Sequence, residues 1–277
     1  MEILKSLRNG VIVFLSLGVI FLGTSCESEP VEDRPDLPPI SSFIMDYSDF
    51  DEPASNLKAA VPSFANFTHA YGNIVFWNAF TTVTLALPVT AYAYALNKEP
   101  EYMGNNKWEW SYDFKHNNID YKATLTAERM NNEEFSADMS INLKALPGKG
   151  VTWFDGVIRY DHTHAGWNLY KNENASAIKI IEVDWSRNYE TDEGTMKYTL
   201  VEPGHEEEGS YIMLEIVTPD PEIIDAAYTI SLAAGDIDIE WNRTTKAGRV
   251  ADPVHFQDDL WHCWDYTLVD AVCDVPE

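Results

Sequence analysis

Three runs of alternating apolar and polar residues follow Lys107, and their two-residue period constrains the fold more than any other feature of the chain. In the first run, the aromatic residues of 108–114 alternate with Glu, Ser and Asp, and the same spacing recurs over 119–125 and 135–141. Successive side chains of a strand point to opposite faces, so each run predicts a strand with one buried face.

Further segments of this kind continue to the C-terminus, which gives roughly eleven short strands with turn-forming sequences between them. Helices and strands do not alternate, which argues against a parallel sheet. We therefore predict a mainly β fold, in which an antiparallel meander forms a barrel-like or clam-like sheet packed around an apolar N-terminal helix. A single domain is expected over 42–277, with the helical segment in 42–98 and the β body in 107–277.

The helix is predicted from an uncharged stretch, because no Asp, Glu, Lys or Arg lies between Lys58 and Lys98. A transmembrane helix is one interpretation, although asparagines, threonines and Pro88 interrupt the candidate span. A segment that is apolar all round inside a soluble protein favours a buried element instead. We expect a buried helix ending near Leu87, with Pro88 opening a second short helix; a pair of buried strands is the competing interpretation.

The N-terminus has the features of an export signal. Lys5 and Arg8 precede the apolar run Val11 to Leu22, which is too short to span a bilayer, and small residues lead to Cys26. This pattern resembles the lipobox of bacterial lipoproteins, and the acidic residues after Cys26 resemble the export tether of bacteroidete-type outer-membrane lipoproteins.

The resemblance implies acylation of Cys26, a signal peptide over 1–25 and a lipidated, acidic, Pro-rich tether over 26–41. It places the protein at the outer membrane, facing the cell exterior, with the membrane as its partner through the acyl chains. More than one acyl chain would hold the protein durably, because each buried methylene contributes about 0.8 kcal/mol.

The chain is acidic, with 45 Asp and Glu against 19 Lys and Arg. Removal of a leader that carries Glu2, Lys5 and Arg8 moves the formal charge from −26 to −27. Such a field repels nucleic acid, so no nucleic-acid partner is expected. No nucleotide-binding loop, nucleophile elbow or dinucleotide fingerprint is present in the sequence, and no cofactor or catalytic residue is assigned.

Cysteines and histidines supply the next candidates. With Cys26 acylated, Cys263 and Cys273 remain as an even pair in an oxidising compartment, which predicts a disulfide. His162 and His164 are one residue apart and would point the same way on a strand, so they are candidate metal ligands, with a solvated turn as the alternative.

Aromatic residues supply the last candidates for a site. Trp153, Trp167, Trp185 and Trp241 lie in predicted strands, where they either stack on the rings of a glycan ligand or fill the core. The sequence thus predicts a non-catalytic envelope lipoprotein that binds a glycan, a small apolar ligand or an envelope partner. An envelope hydrolase acting on glycan or peptide is the alternative.

Overall fold

The computed structural model describes residues 34–48, 63–145, 150–173, 176–217 and 224–273, which belong to one compact unit that begins at Asp33. The helices are α1 (Ala65–Ala95) and the short α2 (Pro253–Phe256). The strands are β1 (Glu101–Gly104), β2 (Lys107–His116), β3 (Ile119–Arg129), β4 (Glu134–Leu143), β5 (Val151–Arg159), β6 (His164–Glu173), β7 (Ser176–Asn188), β8 (Glu193–Leu200), β9 (Tyr211–Ile216), β10 (Ala226–Leu232), β11 (Gly235–Trp241), β12 (Gly248–Ala251), β13 (His262–Trp264) and β14 (Asp270–Ala271).

All of these strands form one antiparallel meander in which each strand pairs with its sequence neighbours, so the predicted fold class is confirmed. Strands β1 and β14 are the two ends of the order, and the sheet is therefore open. Strands β1, β12 and β14 were not predicted from the sequence, because two to four residues are too few to display a two-residue period.

Helix α1 spans the opening between the two ends of the sheet. At its N-terminus the carboxylate of Asp270 in β14 accepts a hydrogen bond from the backbone N–H of Asn66, with an N–O distance of 3.0 Å. Near its C-terminus the hydroxyl of Tyr112 in β2 donates to the carbonyl of Ala91, at 2.5 Å. The helix is thus fixed to the edge strand β14 and to β2, the strand next to the opposite edge.

The structure differs from the predicted helix on two points. The helix continues through Pro88 to Ala95 as one element, because Ala91, Tyr92 and Ala95 are fully buried and tertiary packing sustains the last two turns. Only one stripe of the helix is buried, and Val83 on the opposite side is 79% exposed. Within the described part of the chain, α1 is the helix whose length and composition would allow it to cross a membrane. In its most apolar stretch of 18 residues, 33% is buried in the protein.

Residues 34–48, which we call the N-terminal strap, lie against the inner side of the curled sheet, with buried and exposed positions along their length. Aromatic side chains of the body donate hydrogen bonds to its carbonyls: Tyr92 to Pro38 at 2.8 Å, Trp167 to Ser42 at 3.1 Å and Tyr198 to Phe43 at 3.0 Å. The tether predicted over 26–41 therefore extends too far, since residues 34–41 belong to the folded body.

An aromatic cluster fills the space between the strap, α1 and the sheet. The ring of Phe43 in the strap lies 5.5 Å from Tyr92, 4.8 Å from Phe154 and 4.9 Å from Trp167, measured between ring centroids. All four residues are at most 1% exposed. The middle of the sheet is consequently a packed core.

Candidate functional site

A cleft with a volume of about 950 Å³ lies on the outer face of the sheet. It is lined by two rows of residues that run across the strands. We call the surface that these two rows form the outer cleft. One row contains Thr126, Asp138, Asp155, Asn168, Glu182 and Thr199, and the other contains Lys107, Glu128, Ser136, Val157, Gly166, Asp184 and Lys197.

Strand alternation explains why polar groups gather in the outer cleft. Met139, Phe154 and Trp167 point into the core, so their neighbours Asp138, Asp155, Gly166 and Asn168 point outward. Register then sets the outward residues side by side: Asp138 is paired with Asp155, and Asp155 with Asn168.

Two glycines of adjacent strands set the depth of the outer cleft. A Cβ on Gly156, which faces inward, would overlap the carbonyl oxygen of Gly166 and lie 2.5 Å from the ring of Trp167. A Cβ on Gly166, which faces outward, would find its nearest neighbour 4.0 Å away. Gly156 therefore allows Trp167 to pack closely against the sheet, and Gly166 leaves open space at the base of the cleft.

Irregular pairing occurs at the same place. A register shift between Met139 and Ser140 interrupts the β4–β5 ladder, and another between Leu169 and Tyr170 interrupts the β6–β7 ladder. Bulges bend strands and increase the local twist. These two shifts flank the paired carboxylates and contribute to the concave shape of the outer face.

The paired carboxylates differ in their surroundings. Burial, and secondarily the charge of Asp155, raises the pKa of Asp138, while Lys107 acts in the opposite direction. Asp155 instead accepts two short hydrogen bonds, from Asn168 Nδ2 at 2.6 Å and from the hydroxyl of Tyr170 at 2.7 Å. Partial burial and that bond to Asp155 raise the pKa of Tyr170 to about 12.

The charge of the outer cleft is negative. Among the described residues that line it, five are carboxylates, Glu128, Asp138, Asp155, Glu182 and Asp184, whereas the lysines are Lys107 and Lys197. The ammonium group of Lys197 lies over the ring of Tyr211, 3.8 Å from the centroid. With hydroxyl and amide groups beside the carboxylates, the cleft can accept hydrogen bonds from a hydrophilic ligand that carries positive charge.

A smaller hollow of about 300 Å³ lies between α1 and the strap. Leu85 and Val89 of the helix and Ile44 and Met45 of the strap give it a mainly apolar lining. It flanks the buried stripe of α1 and is separate from the outer cleft.

The four tryptophans proposed for ligand stacking do not line an open platform. Trp167, Trp185 and Trp241 are 1%, 5% and 2% exposed, so they fill the core, as the alternative interpretation held. Trp153 is half-buried and packs against the same core. The stacking hypothesis is therefore wrong for Trp167, Trp185 and Trp241, whose rings offer no free face to a sugar.

The two candidate metal ligands have other partners. His162 lies in the turn before β6, with a φ of 55°, and its Nε2 is 2.8 Å from the carbonyl oxygen of Asp36 in the strap. His164 begins β6, and its Nε2 is 3.9 Å from a carboxylate oxygen of Asp184. No group of three or more His, Cys, Asp or Glu side chains suited to a metal occurs in the described part of the chain, so the pair is not part of a metal site there.

Cys263 and Cys273 form the expected disulfide, with an S–S distance of 2.04 Å. It links β13 to the residues that follow β14, beside the N-terminus of α1. Cys26, the expected acylation site, lies outside the described residues.

Sequence reasoning did not single out the residues of the outer cleft. Asp138 and Asp155 each occupy an outward position of a recognised alternating run, so that signal was present. Their pairing depends on the register of β4 and β5, which includes a bulge, and no sequence pattern fixed it. Comparison of the chain with protein-family models, with curated proteins and with solved structures gives no match.

Proposed function

We propose that this chain is a lipid-anchored protein of the outer membrane, held through Cys26, whose outer cleft binds a hydrophilic ligand bearing ammonium groups. The cleft itself is the observation that supports ligand binding, because the sheet encloses a packed core while its outer face carries a concave polar surface across seven consecutive strands. Its volume falls within the range of small-molecule sites.

The excess of carboxylates supports a cationic ligand. Asp138 is partly buried and its raised pKa means that its negative charge is poorly compensated in the free protein. A ligand ammonium placed between Asp138 and Asp155 would supply that compensation through charge-assisted hydrogen bonds. An amino sugar meets this requirement and also offers hydroxyl groups to Asn168, Thr126 and Thr199.

The test uses the glucosamine tetramer and its neutral N-acetylated counterpart as probes, in calorimetric titrations of the full chain. The proposal predicts saturable binding of the charged probe, with at least about tenfold weaker binding of the neutral one and of the Asp155→Asn variant, since a charged hydrogen bond contributes about 1.5–3 kcal/mol. Asp120→Asn, which removes a carboxylate outside the cleft, is the control. Equal affinities of the wild type and of Asp155→Asn for both probes, or no binding of either probe, would contradict the proposal.

A hydrolase is the second candidate, favoured by the same pair of carboxylates. Residues directly opposite on antiparallel strands have Cβ atoms about 4.5–5.5 Å apart, and retaining glycosidases hold their two carboxyl groups about 5–5.5 Å apart. Asp138, with its raised pKa, would act as the acid and Asp155 as the nucleophile. Release of a chromophore from aryl glycosides by the wild type, lost in both Asp→Asn variants, would establish this activity in place of simple binding.

A further inference from the structure

The most exposed of the large apolar side chains lie on two neighbouring elements. The five large hydrophobic residues that are more than 60% exposed among the described ones are Phe76 at 65% and Val83 at 79% on α1, and Leu260 at 66%, Tyr266 at 74% and Val272 at 88% in the C-terminal segment. Asp270 binds the N-terminus of α1, so the two elements adjoin. We call these five residues the apolar margin.

The outer face of α1 is unlike that of an ordinary surface helix. Surface helices carry charged residues on the side turned to water, but α1 has no Asp, Glu, Lys or Arg along its 31 residues. Gly72, Val75 and Ala79 accompany Phe76 and Val83 on this face. Thr68, Asn78 and Thr82 are exposed on it as well, so the face is uncharged and largely apolar. An exposed surface of this kind indicates an interaction site.

The position of the tether identifies what this surface meets. Arg34, where the described chain begins, forms an ion pair with Glu99 just beyond the C-terminus of α1. Arg34 is eight positions after Cys26, and an extended chain covers at most about 3.6 Å per position, so an anchor at Cys26 keeps this end of α1 within about 29 Å of the lipid surface. A helix of 31 residues is about 46 Å long. A body tethered at one end of such a helix can therefore bring the exposed part of the helix, most of which lies within residues 65–83, to the bilayer.

We propose that the apolar margin docks on the lipid surface, with α1 parallel to it and its buried stripe turned to the sheet. This proposal uses the anchoring at Cys26 but is independent of what the outer cleft binds. Interfacial helices insert their apolar face a few ångströms below the headgroups, and here the body of the protein takes the place of the usual polar face. Because the chain without its leader carries a formal charge of −27, the preferred surface is zwitterionic.

The first test measures docking without the acyl chains, in the chain without its leader (residues 26–277) carrying Cys26→Ala. Flotation with phosphatidylcholine vesicles is expected to recover the protein with lipid, and the double variant Phe76→Asp/Val83→Asp to lower partitioning by about tenfold or more, as two large apolar side chains are replaced. Met130→Asp is the matched control, since Met130 is 57% exposed in the turn between β3 and β4. Adding phosphatidylglycerol should weaken docking at low salt and less so at high salt.

The second test reads the contact directly and does not depend on a loss of binding. An environment-sensitive fluorophore on Val83→Cys, in the Cys26→Ala chain, should shift to the blue on adding vesicles and be quenched by lipid-attached nitroxides, whereas the same label on Met130→Cys should not respond. An unresponsive Val83 label would overturn the proposal. A blue shift that needs no vesicles and grows with protein concentration would also overturn it and indicate a second copy of the chain.

Failure of anchoring gives a different result. If Cys26 is not acylated, palmitate labelling of the wild type fails, while the Val83 label still reports whether the apolar margin binds lipid. If the outer cleft does not bind the proposed ligand, only the titrations with glucosamine oligomers will show it. Substitutions in the apolar margin are expected to leave those titrations unchanged.

Discussion

At the scale of single residues, the outer cleft depends on two glycines that are close in space and face opposite sides of the sheet. Gly156 has no room for a side chain, because the ring of Trp167 packs over it. Gly166 has room but carries none, which leaves the base of the cleft open. One glycine therefore serves packing and the other serves the shape of the site.

This difference predicts opposite results for the same substitution. Gly156→Ala should lower the free energy of unfolding by about 2–3 kcal/mol, because the added methyl group overpacks the core against Trp167. Gly166→Ala should change it by less than about 0.5 kcal/mol. Urea denaturation followed by tryptophan fluorescence compares the two, and equal losses of stability would contradict the assignment of inward and outward faces.

Asp138 gives a prediction about pH. Its pKa is raised above the ordinary 3.8 in the folded protein, so the folded state retains a proton that the unfolded chain has already released. The stability that this proton contributes is complete at pH values below the pKa of Asp138 in the unfolded chain. It is lost as the pH rises through the pKa of Asp138 in the folded protein. Asp138→Asn removes the charged form, so it should be more stable than the wild type at pH 7, and this advantage should vanish near pH 3. Denaturation of both proteins between pH 3 and pH 7 measures the difference in their free energies of unfolding. If the advantage of Asp138→Asn instead grew on acidification, the pKa of Asp138 would be lowered in the folded protein.

At the scale of elements, the strap holds the curled sheet together from inside. The hydroxyl of Tyr198 accepts a hydrogen bond from the backbone N–H of Met45 at 2.6 Å and donates one to the carbonyl of Phe43 at 3.0 Å. Burial raises the pKa of this hydroxyl well above its usual range, which keeps it a neutral donor. The strap has no strand partner in the sheet topology, so such side chains replace a ladder of backbone bonds.

Removing that hydroxyl should weaken the attachment of the strap. Tyr198→Phe leaves a buried N–H and a buried carbonyl without this partner, at a cost of about 1–3 kcal/mol for each unsatisfied group, so a loss of about 2–4 kcal/mol is expected. Tyr189→Phe is the control, since that hydroxyl bonds the carbonyl of His162 at 3.1 Å in an exposed turn. Hydrogen exchange should rise in residues 42–47 of the first variant only; unchanged exchange there would show that other contacts hold the strap.

The strap is the part of the fold that could not be predicted from the sequence. Alternation over 107–141 identified the first strands and the antiparallel class, because a two-residue period reports directly on a half-buried strand. The stretch 34–41 has the composition of a solvated linker, yet its carbonyls at Asp36 and Pro38 are bound by His162 and Tyr92. Those partners are distant in sequence, so no local pattern could have revealed them. The tryptophans were ambiguous for the same reason, since strand periodicity does not say which face is covered.

At the scale of the whole molecule, the open sheet has three surfaces with different chemistry. Its inner face is filled by the strap and α1, its outer face carries the acidic cleft, and the opening is spanned by the apolar margin. Because the core is occupied, the proposed ligand would bind on the outer face and the proposed membrane contact would form at the opening. Such a division would leave the cleft accessible while the protein lies on lipid.

The central claim is that ligand binds on the outer face, and Gly166→Leu tests it most directly. The leucine side chain should fill the base of the cleft without touching the core, because the Cβ at this position has open space around it. Titration with the glucosamine tetramer should show saturable heat for the wild type and none for Gly166→Leu, while the two melting temperatures agree within about 2 °C. Equal binding by both proteins, with the fold intact, would contradict the claim.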